Sequence, residues 1–110
     1  MVSVTTARQI ALSFPGTEEN PHFDRAAFKV TGKRIFATMH ETNKTVNVML
    51  TPADQAEFCQ LDAEAIYPVP NKWGLHGWTI FDLTKVGADV LSAALHTACM
   101  LVMEQKKKKK

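Results

Sequence analysis

The chain has 110 residues, 45% of them apolar and 22% charged, which is the size and make-up of one globular domain and excludes a disordered or fibrous chain. Its formal charge of +2 is misleading: five of the 13 basic residues are Lys106–Lys110, and the body before them holds 8 basic and 11 acidic residues, a net of −3. No apolar run approaches the roughly 20 residues needed to cross a bilayer, and MVSVTTARQIALSF lacks the basic start of a secretory signal, so the expectation is a cytoplasmic domain over 1–105 with a basic tail over 106–110 and no membrane partner.

Positions 3–14, SVTTARQIALSF, begin with cap-competent Ser and Thr, and Val4, Ala7, Ile10, Ala11 and Phe14 then recur at helical spacing. Pro15-Gly16 ends that helix, and TEENPHFD, 17–24, reads as a polar loop. Three strands with short turns follow. In AAFKVT, 26–31, Phe28 and Val30 alternate with Ala27 and Lys29. In RIFATMH, 34–40, Ile35, Ala37 and Met39 take one face and Phe36, Thr38 and His40 the other. In TVNVML, 45–50, Val46, Val48 and Leu50 share a face. Period-2 alternation with short turns predicts antiparallel hairpins with one face on a core.

Thr51-Pro52-Ala53-Asp54 is a helix start: a side-chain acceptor, a proline at the first helical position and an acid at the positive end of the dipole. The helix runs over about 52–61 with Phe58 and Leu61 inward. IYPVP, 66–70, carries prolines that cannot donate to a ladder, so it is an edge or irregular strand. NKWGLHGW then turns the chain into WTIFDL, 78–83, with Trp78 expected in the core. From Asp89 onward, Val90, Leu91, Ala94, Leu95, Ala98, Leu101 and Val102 form a broad apolar helical stripe. The order α-βββ-α-ββ-α is an α+β fold: an antiparallel meander with the N- and C-terminal helices packed on one face.

Chemical motifs are sparse. The glycines are isolated turn glycines and form no phosphate loop, and no GxSxG is present. His22, His40, His76 and His96 form no i, i+4 ligand pair, and His22 with Asp24 supplies two donors where a closed metal site needs about four. Cys59 and Cys99 have no CxxC spacing and read as reduced, buried thiols. The pattern therefore implies no catalytic residue, metal or cofactor. An enzyme would need His22 and Glu18 or Glu19 to converge in a pocket with His76.

Two features stand above this background. Between Arg25 and Lys44 lie Arg25, Lys29, Lys33, Arg34 and Lys44 against only Glu41, a local net of +4. Such a hairpin can lie along a phosphate backbone and position a protein without reading sequence; the same lysines can simply keep a sheet edge soluble. The second feature is NKWGLHGW, which holds both tryptophans of the chain. Lys72, Trp73 and His76 there can form a small stacking-plus-cation surface, unless Trp73 folds back over the sheet edge.

The run FPGTEENPHFDRAAFKVTGKRIFATM (14–39), the Thr51-Pro52 helix start, Tyr67-Pro68, GWTIFDL (77–83) and the final amphipathic helix resemble the MmcQ/YjbR family of small bacterial proteins. The likeness covers about residues 4–105. It implies a CyaY-like fold, with helices on an antiparallel sheet, and the DNA binding through a double-wing arrangement usually ascribed to that family. Glu18, Glu19, Pro21, His22 and Phe23 match its motif, with no catalytic role attached. The fold is also similar to that of frataxin-type iron binders, which use an acidic ridge on the first helix; here helix 3–14 has no Asp or Glu.

The expectation is a non-enzymatic binding protein that binds DNA weakly and salt-dependently through Arg25, Lys29, Lys33, Arg34, Lys44, Lys72 and Trp73. The alternative is a small-ligand or protein-interaction domain that uses the 17–24 loop and the 71–77 turn, with Glu18, Glu19, His22 and His76 as candidates.

Overall fold

A computed structural model of the chain describes residues 1–105; the lysine run 106–110 lies outside the described residues. In chain order the elements are α1 (Val4–Leu12), β1 (Thr17–His22), β2 (Arg25–Val30), β3 (Ile35–His40), β4 (Thr45–Met49), α2 (Pro52–Leu61), β5 (Ile66–Pro68), α3 (Lys72–Leu75), β6 (Trp78–Asp82) and α4 (Ala88–Gln105). All six strands form one antiparallel sheet in the order β1-β2-β3-β4-β6-β5. The fold is the α+β arrangement that the sequence pattern predicts. Both anticipated caps are formed: the Thr6 N–H donates to the Ser3 hydroxyl at 3.0 Å, and the Asp54 N–H donates to the Thr51 hydroxyl at 3.1 Å.

The register sorts the side chains onto two faces. Phe28, Ala37 and Val48 lie in one row, and Met39, Val46, Phe81 and Ile66 in the next; all are buried. Against these rows pack Ala7 and Ala11 of α1 and Leu91, Leu95, Ala98 and Val102 of α4. From α2, the Phe58 ring meets Phe81 edge-on at 6.0 Å between centroids. Each fully buried Leu, Val or Phe contributes about 1.5–3 kcal/mol over its exposed state, so this face supplies the main driving force for folding. The alternate row, Ala27, Thr38, Asn47, Ile80 and Tyr67, turns to the opposite face.

Four local expectations are corrected. TEENPH is not a loop but the edge strand β1, paired with β2 from Thr17↔Val30 to His22↔Arg25. Its two faces meet polar partners rather than core and water, so it shows no hydrophobic alternation: Glu19 faces Arg8 of α1, while Glu18 lies beside Lys29. In β3 the register shifts, with Phe28 opposite Ala37 and Lys29 opposite Ile35. This bulge inserts Phe36 as an extra residue, so Phe36 is fully buried and Ile35 turns to the open face, the reverse of a simple alternation. Leu61, expected inward, is 63% exposed at the end of α2. NKWGLHGW is not a bare hairpin turn: Lys72–Leu75 form the one-turn helix α3, capped by the Asn71 side chain, which accepts from the Trp73 N–H at 2.8 Å.

Two glycines fix where α3 sits. The backbone of Gly74 lies against that of Val69, and Gly77, at φ +109°, lies against Leu50; a Cβ on either would overlap a backbone carbonyl. Backbone cannot move aside as a flexible side chain can. Gly74→Ala and Gly77→Ala are therefore expected to cost about 2–4 kcal/mol in urea denaturation. Gly32→Ala, at φ +78° with open space around it, should cost only the left-handed backbone penalty of about 1 kcal/mol.

Candidate ligand groove on the open sheet face

On the face away from the long helices lies a groove of about 440 Å³. Its floor is Ile35, Thr38, Asn47 and Trp78, which the bulge and the register bring to this side. One wall is His22 and Arg25, the residues that flank the β1–β2 turn. The other is Val69, Asn71 and Trp73, from the segment running into α3. Among the described residues, none from α1, α2 or α4 lines it.

A second cleft, about 340 Å³, adjoins the groove and shares Trp73 and Trp78 with it. Arg34 and His76 bring positive or hydrogen-bonding groups to it, and Thr51, Pro52 and Leu101 close its far side. Among the described residues, no Asp or Glu lines either of these two clefts. Two other clefts of the molecule are: Glu19, Asp24 and Glu41 line one, and Asp54 and Glu104 the other.

The tryptophans are held from behind. Gln55 of α2 donates through Nε2 to the Gly74 carbonyl at 3.0 Å and to the Trp78 carbonyl at 3.1 Å. A side chain that touches neither cleft thus ties the α3 turn to the first residue of β6. Trp73 projects from this anchored turn and is 56% exposed, while Trp78 is half-buried, packs against the core and presents its remaining surface to both clefts. Trp78 is therefore not a wholly interior residue as expected, because it stands opposite Met49 on the open face.

Arg25 is the most constrained polar group of the groove. It is half-buried, and its Nη1 is shielded from solvent with no hydrogen-bond partner among the described residues. A buried donor left without an acceptor costs about 1–3 kcal/mol. Its neighbours on the same face are engaged elsewhere. Lys29 Nζ is 3.6 Å from Glu18, and Glu18 also accepts from Asn20 at 3.0 Å and Thr31 at 2.9 Å. These bonds, that from Asn20 foremost, hold the Glu18 carboxyl below the ordinary glutamate range. His40 Nε2 lies 3.1 Å from Asp24, and the Asn43 N–H donates to Nδ1 at 3.1 Å, so the ring proton sits on Nε2 and points at the carboxylate. That bond holds Asp24 below the usual aspartate range. Phe23, at the turn tip, has φ +60° and is 96% exposed, with its ring edge-on to His22.

The structure gathers some of the residues singled out by sequence and separates others. His22, Arg25 and Trp73 meet in the groove, and Arg34, Trp73 and His76 in the adjoining cleft. Lys33 and Arg34 stand at the β2–β3 turn, whereas Lys44 stands at the β3–β4 turn, at the other end of β3. Six strand residues separate these turns, about 20 Å of chain. Lys72 is exposed at the start of α3 and lines neither cleft. Glu18 and Glu19 face opposite sides of the sheet: Glu19 is bonded to Arg8, as is Glu41, on the helix side. Cys99 is buried as expected, whereas Cys59 is only half-buried; burial pushes both thiols up, which lowers their thiolate fraction. Among the described residues, no group of three or more His, Cys, Asp or Glu side chains could hold a metal ion.

Asn71 lies in the 71–77 turn already singled out, but Ile35, Thr38, Asn47 and Val69 were not legible as site residues. Each belongs to an ordinary strand or loop pattern; the pairing of β2, β3 and β4 brings the strand residues beside Arg25, and the Val69 N–H bond to the Trp78 carbonyl brings in the loop.

A model of the YjbR family matches residues 12–98. The chain belongs to the YjbR family. Its structure is also similar to the crystal structure of the Deinococcus radiodurans protein DR2400, which carries a DUF419 domain: 24% identity over 99% of this chain and 84% of that one, with a TM-score of 0.81. That likeness shows a shared fold. No curated protein matched the chain. The YjbR match takes in the whole of the groove, since every residue from His22 to Trp78 lies within it.

Two outcomes test this geometry. Gln55→Met removes the side-chain donor from the Gly74 and Trp78 carbonyls, which keep their backbone donors from Gly77 and Val69; it should cost about 0.5–1.5 kcal/mol in urea denaturation and shift tryptophan emission to the red as the α3 turn loosens. Glu18 should titrate by NMR below a free glutamate, and Asn20→Ala should move its midpoint back up. Because the folded value is the lowered one, the hairpin keeps this contribution above the unfolded-chain value and loses it as the pH falls through the folded value.

Proposed function

We propose that this YjbR-family chain is a non-enzymatic binding module whose open-face groove takes a small, flat, negatively charged ligand. The observation that carries the reading is the Arg25 guanidinium: it stands in a groove that both tryptophans line and that, among the described residues, no carboxylate lines, with one N–H donor buried and without a partner among the described residues. The body of the chain is acidic on balance, at a net of −3, so clefts without acids are not its general character. Tryptophan faces suit a planar ring, because every such ring offers a π-face. A guanidinium suits a carboxylate or phosphate, because its paired donors match two oxygens. Thr38, Asn47 and Asn71 add hydroxyl and amide groups that can fix the ring's orientation.

Duplex DNA on the β2–β3–β4 basic residues is the competing reading. It has a salt-dependent phosphate term in its favour, but its cations stand at both ends of β3, and Lys29 is paired with Glu18.

Titration with adenosine monophosphate, followed by tryptophan emission, tests the proposal. Saturable quenching is expected. Arg25→Gln should weaken it about tenfold or more, the scale of a charge-assisted hydrogen bond, and Trp73→Ala by about tenfold, the scale of one base stacked on an aromatic. Quenching absent from the folded wild-type chain, or unchanged by both substitutions, would sink the groove. Labelled duplex DNA gives the second arm. Affinity that survives both substitutions and removal of 106–110, yet falls when Lys33 and Lys44 are neutralised, would move the function to the phosphate backbone.

A further inference from the structure

The residues that line the groove stand at different levels of the sheet, and the register says which. β3 and β6 both run antiparallel to β4, so their first residues, Ile35 and Trp78, stand toward the same end of the sheet. β2 runs the other way, and its first residue, Arg25, stands toward the opposite end beside its partner His22. Thr38 and Asn47 pair directly with each other and lie between. Val69, and with it the segment into α3, joins the Trp78 end, because the Val69 N–H donates to the Trp78 carbonyl at 3.1 Å. The groove thus runs diagonally from β2 across β3 and β4 to β6: cationic at one end, polar in the middle, aromatic and apolar at the other. From Arg25 to Trp78 is three strand intervals across and about four residues along, roughly 20 Å between Cα atoms.

From this ordering we infer that the ligand is a free mononucleotide: a flat ring at the tryptophans, an anionic group on Arg25, and a hydroxyl-bearing spacer that sets the two apart. The inference rests on the reading of the groove as a flat-anion site and adds which part of the ligand lies where. Long side chains leaning inward from both ends shorten the span but leave several ångströms between charge and ring. The single bond that joins a carboxylate to an aromatic ring does not bridge that gap; a pentose phosphate does. The sugar then lies over Thr38 and Asn47, both half-buried, which offer it a hydroxyl and an amide. Asn71 stays with the ring: its Oδ1 accepts from the Trp73 N–H, which leaves its amide hydrogens for an acceptor on the ring edge. In the acid-lined cleft that Arg25 also lines, Asp24 feels its charge but bonds His40, and Glu19 and Glu41 bond Arg8. A volume of about 440 Å³, near the lower end of the range for small-molecule pockets, suits one such unit and not a strand.

Ligands that differ only in the spacer test this. Adenosine monophosphate, its 2′,3′-dideoxy analogue, purine-6-carboxylate and a 5′-phosphorylated five-residue oligoadenylate are each titrated into the full chain by calorimetry. The dideoxy analogue, which lacks the sugar hydroxyls, should bind about three- to tenfold more weakly than the monophosphate, the scale of a neutral hydrogen bond. Purine-6-carboxylate, whose charge sits on the ring, cannot reach Arg25 and the tryptophans together and should be weaker by about tenfold or more, the scale of a charge-assisted bond. The oligomer should gain nothing over the monophosphate. Thr38→Val with Asn47→Leu should bring the monophosphate down to the level of the dideoxy analogue and leave the analogue unchanged. A carboxylate that binds as tightly as the monophosphate would overturn the spacer while leaving the groove reading intact. Equal affinity for the monophosphate and its dideoxy analogue would overturn the sugar contacts, and with them the assignment to a nucleotide. Affinity that climbs with chain length would overturn it in favour of a strand. Failure of the monophosphate to bind at all would remove the groove reading and this inference with it. The ligand series needs only the wild-type chain, so it decides the matter even if a variant does not fold.

Discussion

Gly77 lies so close to the Leu50 carbonyl, and Gly74 to Val69, that the backbone itself is the packing surface. Where two stretches of main chain meet without side chains between them, their separation is fixed by hard contact and not by the give of a core. The one-turn α3 is therefore set at a definite height above the β6 end of the sheet. Gln55 completes the attachment by bonding a carbonyl on either side of the turn. One wall of the groove depends on this. The His22–Arg25 wall belongs to the sheet and needs no further support, but the Trp73 wall is carried by a four-residue helix that could not hold a position alone.

The sheet separates two electrostatic environments. On the helix side Arg8 draws Glu19 and Glu41 into one cluster, linking α1 to β1 and to the turn after β3. On the open side Glu18 is occupied by Asn20, Thr31 and Lys29, and Asp24 by His40. The acids close to the groove are thus engaged at its rim, where Asp24 also feels the charge of Arg25 from the neighbouring acid-lined cleft that Arg25 shares. Surface pairs of this kind contribute little to stability, about 0–1 kcal/mol each. Their importance here is arrangement: they leave Arg25 as the cation whose buried donor lacks a partner among the described residues.

Much of the fold was readable from local pattern. Ser3 and Thr51 announced their helices because a cap is a chemical signal within three residues, and the α4 stripe did so because its apolar side is broad. β1 was missed for the opposite reason: as an edge strand flanked by Arg8 on one side and Lys29 on the other, it has no apolar face to alternate. Phe36 was put on the wrong face because a bulge breaks the period of two without leaving any residue-type signature. α3 is too short for a helical period to show. The site was legible only in fragments. Arg25, His22, Trp73, Arg34 and His76 each drew notice as single residues, but their grouping into two adjoining clefts is a product of strand register over some fifty residues of chain. The expected basic hairpin shows the same limit, since charge density along the sequence said nothing of Lys33 and Lys44 standing at opposite ends of one strand.

The order of the strands leaves β1 and β5 as the two borders of the sheet, and each contains a proline, Pro21 in the first and Pro68 in the second. A proline has no amide hydrogen to give to a newcomer, so neither border offers an unbroken row of donors on which a foreign strand could zip up. Growth of the sheet from molecule to molecule, the route by which exposed ladders seed amyloid, is thereby hindered at both margins. The open face can stay bare for a ligand without the sheet beneath it becoming a template for its own copies.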